Sequence, residues 1–176
     1  MDLVKKLEEL HACKSGIAWV QSQEDKSLDG LFQAAMKEKE YYFITWTLVR
    51  LLNEENRIRF GIFIVRQVFH ICVKNHPNEK RPKEIIKAAI RYIRYRNQED
   101  KEKCVNIADS IHGVPNFAVL AVIYFGYSLG NPDRIETSIA CVINTIDISS
   151  SKEEMYKKIY FYGFNLLKKQ EGVNGK

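Results

Sequence analysis

Apolar residues recur along this chain at intervals of three and four, punctuated by polar caps, and nowhere alternate long enough to suggest a strand. The pattern predicts an all-α fold of about eight or nine helices. Asp2 is placed to cap a first helix through about Cys13, and Ser15 to start a short second one carrying Trp19. Ser27 precedes a helix over Leu28–Lys37, and Tyr41–Leu52 carries Trp46. Asn53 with Glu54 and Glu55 then opens a long run to about Lys74, closed by the breaker His76-Pro77-Asn78. Pro82 opens a helix ending near Asn97, and Glu99–Ile111 follows. Gly113 and Pro115 separate this from a strongly apolar helix ending at Gly130. Pro132 opens the next, and Ser149-Ser150-Ser151 before Glu153 and Glu154 starts a last amphipathic helix to about Lys169.

Brief polar turns between such helices favour antiparallel neighbours, hence an orthogonal or solenoid-like bundle, although no repeat is strict enough to fix a solenoid. Apolar periodicity resumes at once beyond His76-Pro77 and Asn131-Pro132. Residues 1–171 therefore read as a single all-helical domain and 172–176 as a flexible tail. A chain of 176 residues with 45% apolar content suffices for one well-buried core.

Two helix faces carry candidate chemistry. Counting 100° per residue from Pro82, Lys83, Lys87, Arg91 and Arg94 fall within about 80°, while Ile85, Ile86, Ala88, Ala89, Ile90, Tyr92 and Ile93 fill the rest. With Lys80 and Arg81 they form a candidate partner-binding face; a solvated outer face is the plainer account of the same pattern. In the long helix after Asn53, apolar residues run almost all round, yet Arg59, Arg66 and His70 line up with Phe63 within about 60°. Breaking a buried ion pair costs about 3–5 kcal/mol, so Arg66 should not sit unpaired in a core. Either it meets Glu40, Asp109, Glu136 or Asp147, or it joins Arg59, His70, Trp46 and Tyr42 at the mouth of a pocket for phosphate or carboxylate.

A net charge of +5 and a pI near 8.9 favour acidic protein faces, nucleotides or nucleic-acid backbones. Tyr92 and Tyr95 flank the basic ladder as base-stacking residues would, but no RNA-binding or helix-turn-helix signature accompanies them. Nucleic acid thus ranks behind an acidic protein partner and an anionic nucleotide-like ligand. His11/Cys13 and His70/Cys72 are two positions apart; on a helix such pairs diverge by about 200°, so neither pair grips one ion, although members of different helices could meet, and no metal or cofactor is expected. GxSxG, HExxH and phosphate-cradling glycine loops are all lacking, and an enzyme is not expected. Four scattered cysteines, no signal-peptide pattern in MDLVKKLEEL and an apolar stretch, Phe117–Leu129, below the ~20 residues a bilayer needs predict a reduced, cytoplasmic protein. Met155, Ile159, Tyr162 and Leu166 form an apolar stripe that suits internal packing better than a dimer seam.

The strings ACKSGIAW (Ala12–Trp19), LDGLFQAAM (Leu28–Met36), ITWTLVRLL (Ile44–Leu52) and VRQVFHICVKNHPNEKRPKEIIKAAIRYI (Val65–Ile93) resemble the all-helical immunity-protein family that accompanies bacterial polymorphic toxins and occurs in phage genomes. That family follows a Trp-containing helix with a long apolar helix, a polar loop ending in Arg-Pro, and a helix patterned Arg-Pro-x-x-Ala-Ile. Here Arg81-Pro82-Lys83-Glu84-Ile85-Ile86 matches, with Ile85 at the usual alanine. The likeness spans residues 12–93; beyond them Phe117–Tyr127 and Tyr156–Phe164 are bulky where the family is rich in alanine. The resemblance implies a non-enzymatic bacterial or phage protein that protects by binding and neutralising a partner. The pocket built on Arg66 implies the alternative, a phage anti-defence sponge that sequesters a nucleotide-like signal.

Overall fold

Asparagine and serine side chains start four of the helices of this chain. In a computed structural model, which describes residues 3–112, 116–131, 134–146 and 152–174, Ser27 Oγ accepts the N–H of Gly30, Asn53 Oδ1 that of Asn56, Asn97 Oδ1 that of Glu99 and Asn116 Oδ1 that of Ala118. Each bond satisfies a donor that a helix N-terminus otherwise leaves open. The described residues form ten helices and no strand: α1 (Leu3–Glu9), α2 (Lys14–Ser22), α3 (Leu28–Glu38), α4 (Tyr41–Leu51), α5 (Glu54–Asn75), α6 (Arg81–Tyr95), α7 (Gln98–Ser110), α8 (Phe117–Ser128), α9 (Arg134–Ile146) and α10 (Lys152–Asn174). None is long and apolar enough to cross a membrane.

Two boundaries differ from expectation. The first helix stops at Glu9 rather than Cys13, because His11 takes a left-handed conformation (φ 58°) and Cys13 is the extended N-cap of α2. At the other end α10 continues beyond Lys169 to Asn174. Near this end Gln170 Oε1 accepts the Asn53 N–H at 2.8 Å and lies 3.3 Å from Asn56 Nδ2, which ties α10 to the start of α5. Asp2, Gly113, Pro115, Pro132, Asp147 and Ser149-Ser150-Ser151 lie outside the described residues.

The chain divides into two compact units, Met1–Leu51 and Leu52–Lys176. In the first, α1 packs on α2 and α3 on α4, burying Leu7, Val20, Leu31, Phe32, Ala35, Leu48 and Val49. Trp19 stacks on Phe43 at 5.5 Å and donates its indole N–H to Glu38 Oε2 at 2.7 Å.

In the second unit α5 packs against α6, α8, α9 and α10, and α8 also meets α6, α7 and α9. Helix α8 is apolar all round and buried accordingly. Two glycines set its distance from its neighbours: a Cβ at Gly61 would come within 2.5 Å of the Phe125 ring, and one at Gly126 within 3.0 Å of Ala108 Cβ. The stripe on α10 packs internally. Ile159 and Leu166 are buried, and Tyr162 stacks on Phe63 of α5 with centroids 4.0 Å apart.

Candidate partner-binding face

Helix α6 is amphipathic. Pro82, Ile85, Ile86, Ala88, Ala89 and Tyr92 are buried, and its six basic neighbours face outward to differing degrees. The structure sorts those six into two groups. Arg81 and Arg91 are committed to the fold. Arg91 donates from Nε and Nη2 to Asp100 Oδ1, at 2.8 and 2.6 Å, near the start of α7. Arg81 reaches Ser110 O at the end of α7 with 2.6 Å, and also donates from Nε to Glu79 Oε1 at 2.7 Å. Between these two anchors the Cys104 thiol donates to Ile85 O at 3.4 Å. These contacts fix α6 and α7 as an antiparallel hairpin, clasped at both ends by an arginine. The Arg81 guanidinium also holds the Glu79 carboxyl below its ordinary range through their hydrogen bonds.

Lys80, Lys83, Lys87 and Arg94 form the other group. All four are exposed, with no ion pair to any of them among the described residues, and Arg94 lies over the Tyr95 ring at 5.7 Å. Tyr95 is 64% exposed and Ile90 40%, so each edge of the stripe carries accessible apolar surface.

The start of α5 is a second polar centre. Lys101 donates to Glu54 Oε1 at 2.7 Å and sits 5.5 Å over the Tyr92 ring, while the Tyr92 hydroxyl donates to the same oxygen at 3.2 Å. The Lys101 hydrogen bond leads the causes that lower the Glu54 pKa. Glu55 takes Arg59 at 2.7 Å and also Arg96. These bonds hold the α5, α6 and α7 termini together. A cleft of about 330 Å³ beside them is lined by Glu54, Arg57, Ile58, Lys101, Ser128, Leu129 and Gly130.

The line of charge along α5 is not buried. Arg59, Arg66 and His70 are all exposed, so Arg66 meets water and needs no internal carboxylate. Apolar residues do run nearly round α5, but the turns bearing Glu55, Arg59, Arg66, His70 and Val73 leave one stripe open to solvent. Of the other pocket candidates, Trp46 and Tyr42 lie on α4 in the first unit. The side chain of Tyr42 is outside the described set. None of the three cavities described in this subsection is lined by Arg59, Arg66 or His70.

Trp46 lines a different cavity, in the first unit. This space of about 180 Å³ has Leu7, Val20 and Phe43 as apolar walls, Arg50 with its guanidinium 5.2 Å over the Trp46 ring, and His11 and Cys13 in the α1–α2 turn. The expected divergence of His11 and Cys13 fails because neither residue is inside a helix, and both border one space. Cys13 Sγ lies 3.3 Å from Ser15 Oγ. That hydrogen bond, followed by the Gly16 backbone, lowers the thiol pKa below its ordinary 9.0. His70 and Cys72 do diverge: the histidine is exposed and the cysteine buried. A shallow surface hollow of about 460 Å³ lies along α7 between Glu99 and Ser110. Among the described residues no three His, Cys, Asp or Glu side chains are grouped to hold a metal ion. No protein-family model, curated protein or solved structure matches this chain.

Proposed function

We propose that this chain is a non-enzymatic, cytoplasmic binding protein of bacterial or phage origin that neutralises an acidic protein partner through the exposed face of α6. One observation carries the reading: Lys80, Lys83, Lys87 and Arg94 have no ion pair among the described residues, while the flanking Arg81 and Arg91 brace the same helix against α7. A cation already bound to a carboxylate adds little field outward, whereas four unneutralised cations on a braced helix steer an acidic surface and fix its register. The resemblance to immunity proteins over residues 12–93 supports action by occupancy, because such proteins protect by covering a partner.

The sequestration alternative needs an enclosed anion pocket, and exposed Arg66 and His70 with Glu55-bound Arg59 do not supply its walls. The test is to purify wild type and the Lys83→Glu/Lys87→Glu variant side by side from the native cell and weigh both by native mass spectrometry. An acidic protein held by wild type and lost from the variant is the expected result. A small anion retained equally by both chains overturns the reading in favour of sequestration; bare chains in both samples overturn it outright.

A further inference from the structure

The exposed positions of α6 have a spacing of their own. Lys80, Lys83, Lys87, Ile90 and Arg94 follow one another at intervals of three, four, three and four, the spacing of residues that share one face of an α-helix. All five side chains are exposed, and the seam they form extends about 21 Å at 1.5 Å per residue. Its one uncharged member is Ile90, 40% exposed, on the side of α6 away from the Arg81 and Arg91 clasps to α7. On the opposite edge stand exposed Glu84 and Tyr95.

We infer that the occupant of this face is an acidic amphipathic helix of the partner protein, laid along α6 with carboxylates opposite Lys80, Lys83, Lys87 and Arg94 and an apolar side chain on Ile90. This rests on the reading of the α6 face as the binding surface and adds the shape of what covers it. Three features favour a helix over a nucleic-acid strand. Four cations along one helix face can pair with carboxylates spaced alike on a second helix laid beside it, as the flanking charges of paired helices do. An isoleucine within the seam gains by covering apolar surface, which a phosphate backbone does not offer. Glu84 at the border repels phosphate but accepts a lysine from the flank of a facing helix. The helix itself is held in place by Arg81, Arg91 and the buried face, so the seam is formed before the partner arrives.

Three probes decide the matter by fluorescence anisotropy at low salt. The first is a three-heptad helical peptide with glutamate at every seam position except a leucine facing Ile90; the second is the same peptide with two central prolines; the third is a single-stranded oligonucleotide of equal charge. The helical peptide should bind at least about tenfold tighter than either of the others. Lys87→Glu should weaken it by a similar factor, and a lysine at the facing glutamate should restore binding to that variant. Equal binding of all three probes, each weakened by Lys83→Glu/Lys87→Glu, would overturn the helix while leaving the basic face intact. Preference for the oligonucleotide would replace the protein partner with nucleic acid, and binding indifferent to Lys83 and Lys87 would remove both the helix and the face. These positions are exposed, and unchanged circular dichroism shows that the variants remain folded.

Discussion

Cys13 in the first unit and Cys72, Cys104 and Cys141 in the second put one side chain in opposite surroundings. The first borders a cavity and has its thiol acidified by Ser15; the other three are buried, and burial drives the Cys72 thiol up to about 11 and the Cys104 thiol up to about 12. Packing makes the difference. Between α5 and α8 the fit is close enough that Gly61 has no room for a methyl group beside Phe125, and the charged groups described above for the second unit gather at helix ends, in the cleft beside Glu54 and Lys101, and on the outer face of α6. In the first unit space remains among Leu7, Val20, Phe43 and Trp46, and polar atoms line it. A closely packed helix contact leaves no room for a polar side chain, whereas the space beside Cys13 admits one at its wall.

The largest test of that contrast is one methyl group placed in each unit. Gly61→Ala should destabilise the protein by about 1–3 kcal/mol, since the fully buried Phe125 ring has nowhere to move, and this outweighs the gain in helix propensity. Gly16→Ala should be neutral or stabilising by up to about 0.5–1 kcal/mol, because its nearest contact, at 3.3 Å, is the half-buried Phe43 ring beside the cavity. Urea unfolding midpoints measure both. Equal costs would mean that the two interiors are packed alike.

A smaller effect separates the two groups of cations on α6. Arg91→Ala leaves Asp100, 8% exposed, without the guanidinium that occupies it. The expected result is a clear drop in unfolding temperature, moderated by the partial exposure of Arg91. Lys87→Ala should stay within about 0.5 kcal/mol of wild type. Thermal unfolding of the two variants checks this, and a Lys87 cost matching that of Arg91 would show that the whole ladder is structural.

This division within the ladder lay beyond the sequence. Periodicity placed the ladder on one face of a helix opened by the Arg81-Pro82 element, and the caps at Ser27 and Asn53 were legible because their partners lie three residues away. Which arginines are bound depends on Asp100 and Ser110 of α7, contacts that local spacing does not encode. Arg66 was misplaced for a related reason: a helix wheel counts apolar residues but does not reveal which stripe lacks a neighbour. The cavity at Cys13 was hidden by a helix boundary. The left-handed stop at His11 puts His11 and Cys13 in one turn rather than on opposite helix faces.

The smallest effect is a difference in titration. In the folded protein iodoacetamide should label Cys13 alone, and its rate should rise through a midpoint below the ordinary thiol value of 9.0. Ser15→Ala removes the first cause of that shift and should move the midpoint upward. Cys72, Cys104 and Cys141 should react only after unfolding, because attack requires an accessible thiolate and burial denies them both access and ionisation. The same shifts act on stability with a definite sign. Unfolded thiols lose their protons near pH 9, while folded Cys72 and Cys104 keep theirs to about 11 and about 12, so rising pH favours the unfolded chain across that window. Cys72→Ala creates a cavity whose cost is independent of pH, so the difference in stability between wild type and this variant should shrink from pH 9 to pH 11. A constant difference, or alkylation of Cys72 at a rate close to that of Cys13, would show that the two thiols share one kind of environment and would end the contrast between the units.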